Sequence, residues 1–322
     1  MTTLLNDEPA LLQRLQAEDS GIRRIALLDL ADIAGEEHTP LFIAALRDPA
    51  ADVRVEAARA LETWESPEGV AALAIALADD DEEVRAAAAQ TLSELKQPSS
   101  AAALLPHAAH ALSSVRAAVL RGLRELRVPA SLQPALAALE DSDATVRREA
   151  VSVLGYLKHA GAVGALTAAA TGDAAADVRR AAIGALGYAG SDALSGVLAA
   201  LLGGLADPAW QVREEAAGTL GKLRLPAAAA PLTAALEDPY WQVRLRAARS
   251  LGRLRHAGAV PALSAALAHA IGNLRKEAAL ALGEIGDAAA LPALAAIEHD
   301  PDPEVRKAAR LAIAQIRQGA HP

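Results

Sequence analysis

Residues 207–223 read DPAWQVREEAAGTLGKL, and residues 238–254 read DPYWQVRLRAARSLGRL. Both stretches begin with Asp-Pro, contain Val-Arg and reach Leu-Gly near their end. Valine before the arginine, alanine three positions after it and leucine seven positions after it lie on one face of a helix with 3.6 residues per turn. Because Asp and Pro favour a turn, the stretch predicts an amphipathic helix that begins just after one.

The aliphatic-Arg step recurs along the whole chain at a nearly constant spacing. Successive arginines are 31 residues apart, except for one step of 32 and one of 34. Such a period is typical of α-solenoids, in which a repeat cannot bury its own apolar face and must stack on its neighbours. The ten arginines of this series, called the ladder arginines below, are Arg23, Arg54, Arg85, Arg116, Arg147, Arg179, Arg213, Arg244, Arg275 and Arg306.

Each repeat is predicted to contain two helices, a helix A and a helix B that carries the ladder arginine. In the second repeat we expect helix A over about 40–46 and helix B over about 52–63, with a turn at Asp48-Pro49 between them. The sequence thus predicts an all-α fold: a right-handed α-solenoid, or superhelix, of about ten helix-turn-helix repeats.

We expect this solenoid to form a single domain over residues 1–322. Residues 1–36 and 287–322 are richer in polar side chains than the internal repeats of residues 37–286. An end repeat has no neighbour on its outer face, so polar side chains there are typical of capping repeats. Both ends therefore predict caps and a complete array.

The pattern Asp-x-x-x-x-Val-Arg-x-x-Ala-x-x-x-Leu-Gly resembles the HEAT-like repeats named after phycobilisome lyases. Residues 207–223 and 238–254 match it best, and the resemblance covers almost the whole chain. It implies an armadillo-like superhelix and protein–protein interaction, although such repeats serve many functions. A function like that of the bilin lyases, or a role in maturing a cofactor-bearing protein, stays open as an alternative. The His-Glu dyads of the HEAT-like enzyme deoxyhypusine hydroxylase have no counterpart in this sequence.

Composition and motifs argue against several function classes. The chain has a net charge of −9 and no cysteine. A net negative charge disfavours general binding to nucleic acid, because affinity for phosphates depends on many cationic contacts. The histidines are scattered, and there is no phosphate-binding glycine loop or nucleophile elbow. We therefore expect no catalytic residues, no metal and no cofactor, and a cytoplasmic protein without a membrane segment.

Aromatic residues are concentrated in repeats five to eight. Five of the seven aromatic residues lie between positions 156 and 241, mostly at helix B positions that the core does not need. If the B helices line a concave groove, this composition predicts a surface for another protein or peptide. The alternative is that the tryptophans pack on the adjacent turn. The predicted partner-binding residues are Tyr156, Tyr188, Trp210, Gln211, Glu214, Lys222, Trp241, Gln242, Arg246, Arg249 and Arg253.

Three of these residues form a basic stretch in repeat eight. Arg246, Arg249 and Arg253 are spaced by three and four residues and therefore share one helix face. They predict a partner with an acidic patch. One alternative is a solvated face whose arginines pair with Glu214, Glu215 and Glu237. Nucleic-acid binding, the second alternative function, depends only on this arginine cluster.

The ladder arginines are expected to be structural rather than partner-binding, because they recur in all ten repeats. An aspartate lies six positions before most of them, and we expect each arginine to bond to the recurring aspartate of a neighbouring repeat. Two repeats between Arg147 and Arg213 are longer than the others. Their extra residues, near 171–176 and 191–204, predict either longer loops or a local change in curvature.

Overall fold

The computed structural model describes residues 8–190 and 193–319, in which all regular structure is helical. Twenty α-helices lie in these residues and form ten A–B pairs, with odd numbers for A helices and even numbers for B helices. The all-α fold of helix-turn-helix repeats is therefore confirmed. The chain divides into two compact units, residues 1–159 and 160–322. The single domain with two caps stays a prediction.

The first unit contains ten helices in five pairs. They are α1 (Glu8–Arg14), α2 (Ser20–Ile33), α3 (Thr39–Ala45), α4 (Ala51–Ala60), α5 (Pro67–Ala76), α6 (Glu82–Ser93), α7 (Ala101–Leu104), α8 (Ser113–Leu126), α9 (Leu132–Ala138) and α10 (Ala144–Leu157).

The second unit contains the other five pairs. They are α11 (Val163–Gly172), α12 (Ala176–Leu186), α13 (Leu194–Gly204), α14 (Trp210–Leu223), α15 (Ala229–Ala234), α16 (Trp241–Leu254), α17 (Val260–Ala266), α18 (Gly272–Ile285), α19 (Leu291–Ala296) and α20 (Pro303–Gly319).

Within each unit, every B helix packs on the next B helix and on its own A helix. The core lies where these helices meet, and the residues predicted to form the apolar face occupy it. In α14, for example, Val212, Ala216 and Leu220 are all fully buried. Small side chains at these positions let the B helices approach closely.

The recurrent Leu-Gly serves this close approach. Gly221 lies inside the last turn of α14, and a Cβ atom there would overlap the Ser250 side chain of α16. The helix itself ends at Arg224, which adopts the left-handed conformation with φ of 50°. The glycine is therefore needed for contact between neighbouring repeats and not for the chain reversal.

Most of the ladder arginines bond to the aspartate of the next repeat, as predicted. Arg179 donates from Nε and Nη2 to the Asp207 carboxylate at 2.7 and 2.8 Å, and from Nη1 to main-chain oxygens of its own turn. The hydrogen bond from Arg179 lowers the pKa of Asp207, against the opposing effect of burial. The same pairing occurs at Arg23–Asp48, Arg54–Asp79, Arg116–Asp141, Arg213–Asp238 and Arg275–Asp300.

The two long repeats contain long A helices. Helix α11 has ten residues and α13 has eleven, whereas α9 and α17 have seven each. The connection between α12 and α13 is also long, since it spans residues 187–193, so the interpretation as longer loops stays a prediction. Ser191 and Asp192 lie outside the described residues.

Candidate protein-binding surface

One cavity of the second unit is formed by the B helices α12, α14 and α16 and has a volume of about 390 Å³. Its side chains stand two, five, six or nine positions after the ladder arginines of their helices. Because these offsets point to the same side of successive B helices, residues about 31 positions apart become neighbours. The cavity, called the α14 pocket below, is lined by Gly184, Tyr188, Glu215, Gly218, Thr219, Lys222, Arg246 and Arg253.

Four residues of the predicted site meet in the α14 pocket: Tyr188, Lys222, Arg246 and Arg253. The ammonium of Lys222 lies 3.2 Å from the centroid of the Tyr188 ring, a cation–π contact. Tyr188 is still 52% exposed. Neither Lys222 nor Arg253 forms a salt bridge to any described residue. The pocket therefore presents an aromatic side chain next to two cations without a carboxylate partner.

Glu215 also lines the pocket, although the sequence analysis named it as an expected counter-charge of the α16 arginines and not as a partner-binding residue. Its carboxylate has no hydrogen bond or ion pair among the described residues. Burial raises the pKa of Glu215 above its ordinary value, although the nearby cations Arg246, Arg180 and Lys222 act in the opposite direction. A partly desolvated carboxylate without a donor is costly, and such a group favours binding of a cationic or hydrogen-bond-donating ligand.

Two glycines keep the α14 pocket open. A Cβ atom on Gly184 would lie 3.0 Å from Oε1 of Glu215, and a Cβ atom on Gly218 would lie 3.1 Å from Cδ of Arg246. Both glycines stand five positions after a ladder arginine, where α16 has Arg249. A signal was present in the sequence: two successive repeats have glycine at a partly buried position where most others carry a long side chain.

The basic stretch of α16 is largely neutralised. Arg246 pairs with Glu214 at 3.0 Å, and Arg249 forms a bidentate pair with Glu277 at 2.7 and 2.8 Å. Of the expected counter-charges, only Glu214 takes that role here. Glu277 was missed because it belongs to the next repeat, where α18 places it beside α16.

The tryptophans lie outside the α14 pocket. Trp210 begins α14, whereas Lys222 lies twelve residues further along, roughly 18 Å at the helical rise. Trp210 is partly buried and stacks on Tyr240, with ring centroids 5.5 Å apart and planes 14° from parallel. Arg213 lies 5.6 Å from the same tyrosine ring. These contacts agree with the alternative in which the tryptophan packs on the adjacent turn.

The remaining predicted residues of α14 and α16 also lie away from the pocket lining. Trp241 and Gln242 are partly buried, and Gln211 is exposed. The Gln242 Oε1 atom is buried without a hydrogen-bond partner among the described residues. These residues lie towards the N-terminal ends of α14 and α16, and their contact with a partner stays a prediction.

Tyr156 belongs to the first unit. Its ring is 43% exposed, with the guanidinium carbons of Arg124 and Arg127 at 5.6 and 5.1 Å from the centroid. In the same unit, Arg121 and Arg148 each lie 3.1 Å from the carboxylate of the buried Glu149. Tyr156 thus lies in an arginine-rich cluster of its own unit.

The described residues offer no metal site and no membrane span. In residues 8–190 and 193–319, no three His, Asp or Glu side chains lie close enough to bind a metal ion together. No helix in that part of the chain is long and apolar enough to cross a membrane.

Comparison with solved structures supports the same fold. An engineered protein is 20% identical, with a TM-score of 0.52, and the match covers 96% of this chain and 98% of the other. Kap95p, solved with RanGDP, is 16% identical with a TM-score of 0.68, and Kap121p bound to Nup53p is 16% identical with a TM-score of 0.59. These matches cover 96% and 98% of this chain but only 50% and 42% of Kap95p and Kap121p. At such identities the likeness concerns the fold alone.

Comparison with protein families is more direct. No curated protein matches this chain. The family described as HEAT repeats matches at residues 39–124, 103–187, 165–242 and 229–314, which together span most of the chain. This chain therefore belongs to the HEAT-repeat family.

Proposed function

We propose that this chain is a non-enzymatic, cytoplasmic protein-binding scaffold that holds a segment of another protein at the α14 pocket. The supporting observation is the set of unmatched groups there. Glu215, Lys222 and Arg253 have no ion pair within the described residues, although they line one cavity of about 390 Å³. Elsewhere the same kind of side chain is paired across repeats, as in Arg249–Glu277.

A protein segment suits this surface better than a nucleic acid does. Arg246 and Arg249 are held by carboxylates, so few cations remain for phosphates. Lys222 and Arg253 still favour a partner with an acidic patch. Structures of Kap121p include complexes with Nup53p and with the extreme C-terminus of the phosphatase Cdc14p. The repeat pattern that resembles the lyase-type repeats supports that subtype without implying lyase chemistry.

The test reverses the charges of Lys222 and Arg253. The double variant Lys222→Glu, Arg253→Glu changes two exposed side chains and should leave the fold intact. Proteins retained by the wild-type chain from cells that express it are identified by mass spectrometry. The strongest partner is then purified, and its Kd is measured by calorimetry for each variant.

The matched control is Lys307→Glu, Arg310→Glu, which makes the same charge change on exposed positions of α20. We expect the Kd to rise on the order of tenfold or more for the pocket variant and to stay unchanged for the control. An equal Kd for wild type and pocket variant would show that this surface does not bind the partner.

A further inference from the structure

Two other steps between B helices show a pairing that a glutamate at the register of Glu215 can make. Glu277 stands two positions after its ladder arginine, is only 9% exposed, and pairs with Arg249, which stands five positions after the previous one. In the first unit, Glu149 has the same register, is 4% exposed, and pairs with Arg121 at the same offset. The arginine five positions after the preceding ladder arginine therefore neutralises the glutamate in both cases. At a third glutamate of this register, Glu56, that position is Leu28, and Arg24 and Arg59 pair with the carboxylate instead.

The step from α12 to α14 lacks that arginine. Glu215 keeps the register of Glu277, but Gly184 stands where Arg249 would be. The Oε1 atom of Glu215 lies only 3.0 Å from the place where a Cβ atom of residue 184 would start. The carboxylate thus faces the space that an arginine side chain fills elsewhere, and that space belongs to the α14 pocket.

We propose that the α14 pocket takes an arginine side chain from the bound protein segment, and that its guanidinium pairs with Glu215 as Arg249 pairs with Glu277. This inference depends on the proposed function, because it specifies the segment bound at that surface. Arginine fits better than lysine, since a planar guanidinium can donate two parallel hydrogen bonds to one carboxylate.

The cations of the pocket add a second requirement. Lys222 and Arg253 would repel an isolated guanidinium, whereas an acidic residue beside the arginine would satisfy them. Arg246 contributes little repulsion, because Glu214 neutralises it at 3.0 Å. The expected segment therefore contains arginine next to aspartate or glutamate.

The test selects peptides on the purified full chain from a displayed library of random 12-residue sequences. Two variants alter the pocket. Glu215→Gln removes the charge at constant size, and Gly184→Arg supplies the missing side chain from within the chain. Two controls make the same changes at exposed positions of the same unit: Glu237→Gln, and Gly196→Arg, where an added Cβ meets no atom within 4 Å.

We expect peptides with adjacent arginine and acidic residues to be enriched. Their Kd should rise on the order of tenfold or more for Glu215→Gln and for Gly184→Arg, and stay constant for both controls. Circular dichroism checks that each variant is folded, and Glu215→Gln decides the test if Gly184→Arg does not fold.

The outcomes separate the two claims. Enriched peptides without arginine, or peptides that bind Glu215→Gln as tightly as wild type, would overturn the arginine assignment. Lys222→Glu, Arg253→Glu would then still test the proposed function. If no peptide is enriched on the wild-type chain, peptide docking at the α14 pocket is wrong, and the arginine assignment is wrong with it.

Discussion

Asp207 and Glu215 both belong to the step from α12 to α14, and their carboxylates have opposite surroundings. Asp207 accepts two hydrogen bonds from Arg179 and one from the Ala209 main-chain N–H. The arginine lowers its pKa. Glu215 has no such donor among the described residues, and burial raises its pKa. The Asp207 carboxylate therefore has its hydrogen-bond donors within the protein, whereas the Glu215 carboxylate can still accept hydrogen bonds from a ligand.

The step from α16 to α18 shows that repeat geometry alone does not leave a carboxylate unpaired. There Glu277 has the register of Glu215, but Arg249 closes the pair. The difference lies in one residue, glycine or arginine at the same offset. In a periodic scaffold, a local binding site can therefore arise where one repeat lacks a side chain that would pair with the next repeat. Four substitutions test this comparison.

The largest effect is expected from Asp207→Ala. This change leaves Arg179, whose side chain is 13% exposed, without its carboxylate and removes the acceptor of the turn N–H. We expect the free energy of unfolding to fall by about 2–4 kcal/mol. Urea unfolding followed by circular dichroism measures it. Glu237→Ala, an exposed neighbour, is the control, and a loss as small as that of the control would mean that the ladder does not stabilise the repeats.

A smaller loss is expected from Arg249→Ala. The substitution leaves the buried Glu277 without its bidentate donor, so that its carboxylate is unpaired like that of Glu215. Since Arg249 is itself 41% exposed, we expect a loss of only about 1–2 kcal/mol in the same urea assay. Arg253→Ala removes an arginine without a salt bridge on the same helix and should change little. Equal effects of the two substitutions would contradict the comparison.

The reverse change, Gly184→Arg, should give Glu215 the arginine partner that Glu277 has. The new guanidinium is expected to pair with Glu215 and to raise the free energy of unfolding by about 1 kcal/mol. The pKa of Glu215, followed by NMR of labelled glutamate, should fall from its raised value towards or below the ordinary one. A pKa that stays raised would show that residue 184 cannot reach the carboxylate.

The smallest effect is expected from Glu215→Gln, and its sign depends on pH. Because the folded-state pKa of Glu215 is raised, the folded chain binds this proton more tightly than the unfolded chain does. Its contribution is fully present below the ordinary glutamate pKa and is lost as pH rises through the raised value. Glu215→Gln should therefore stabilise the protein at pH 7, by less than about 1 kcal/mol.

Asp207 provides the opposite control for that measurement. Its pKa is lowered in the folded state, so its contribution is present above the ordinary aspartate pKa and is lost as pH falls through the lowered one. Unfolding free energies at several pH values from 3 to 8 should give slopes of opposite sign for the two carboxylates. Slopes of the same sign would contradict the opposite pKa shifts of Asp207 and Glu215.

The repeat and its structural bonds can be predicted from the amino-acid sequence alone. The ladder arginines, the apolar face of each B helix and the recurring aspartates all follow one period, so each position could be assigned from its equivalents. Even the Arg179–Asp207 bond was predictable, because a periodic array brings equivalent positions of adjacent repeats together. The sequence also predicted Tyr188, Lys222, Arg246 and Arg253 as partner-binding residues, and these four line one pocket.

Contacts between non-periodic side chains become visible only in the folded protein. Trp210 and Lys222 have equally variable offsets, yet the length of α14 separates them, and Trp210 stacks on Tyr240 instead. Whether Glu215 is paired depends on a side chain 31 residues earlier in the chain, and the sequence pattern of either helix alone does not contain that contact. Periodicity specifies the contacts that every repeat makes, but the distances between particular side chains across repeats determine where binding capacity remains.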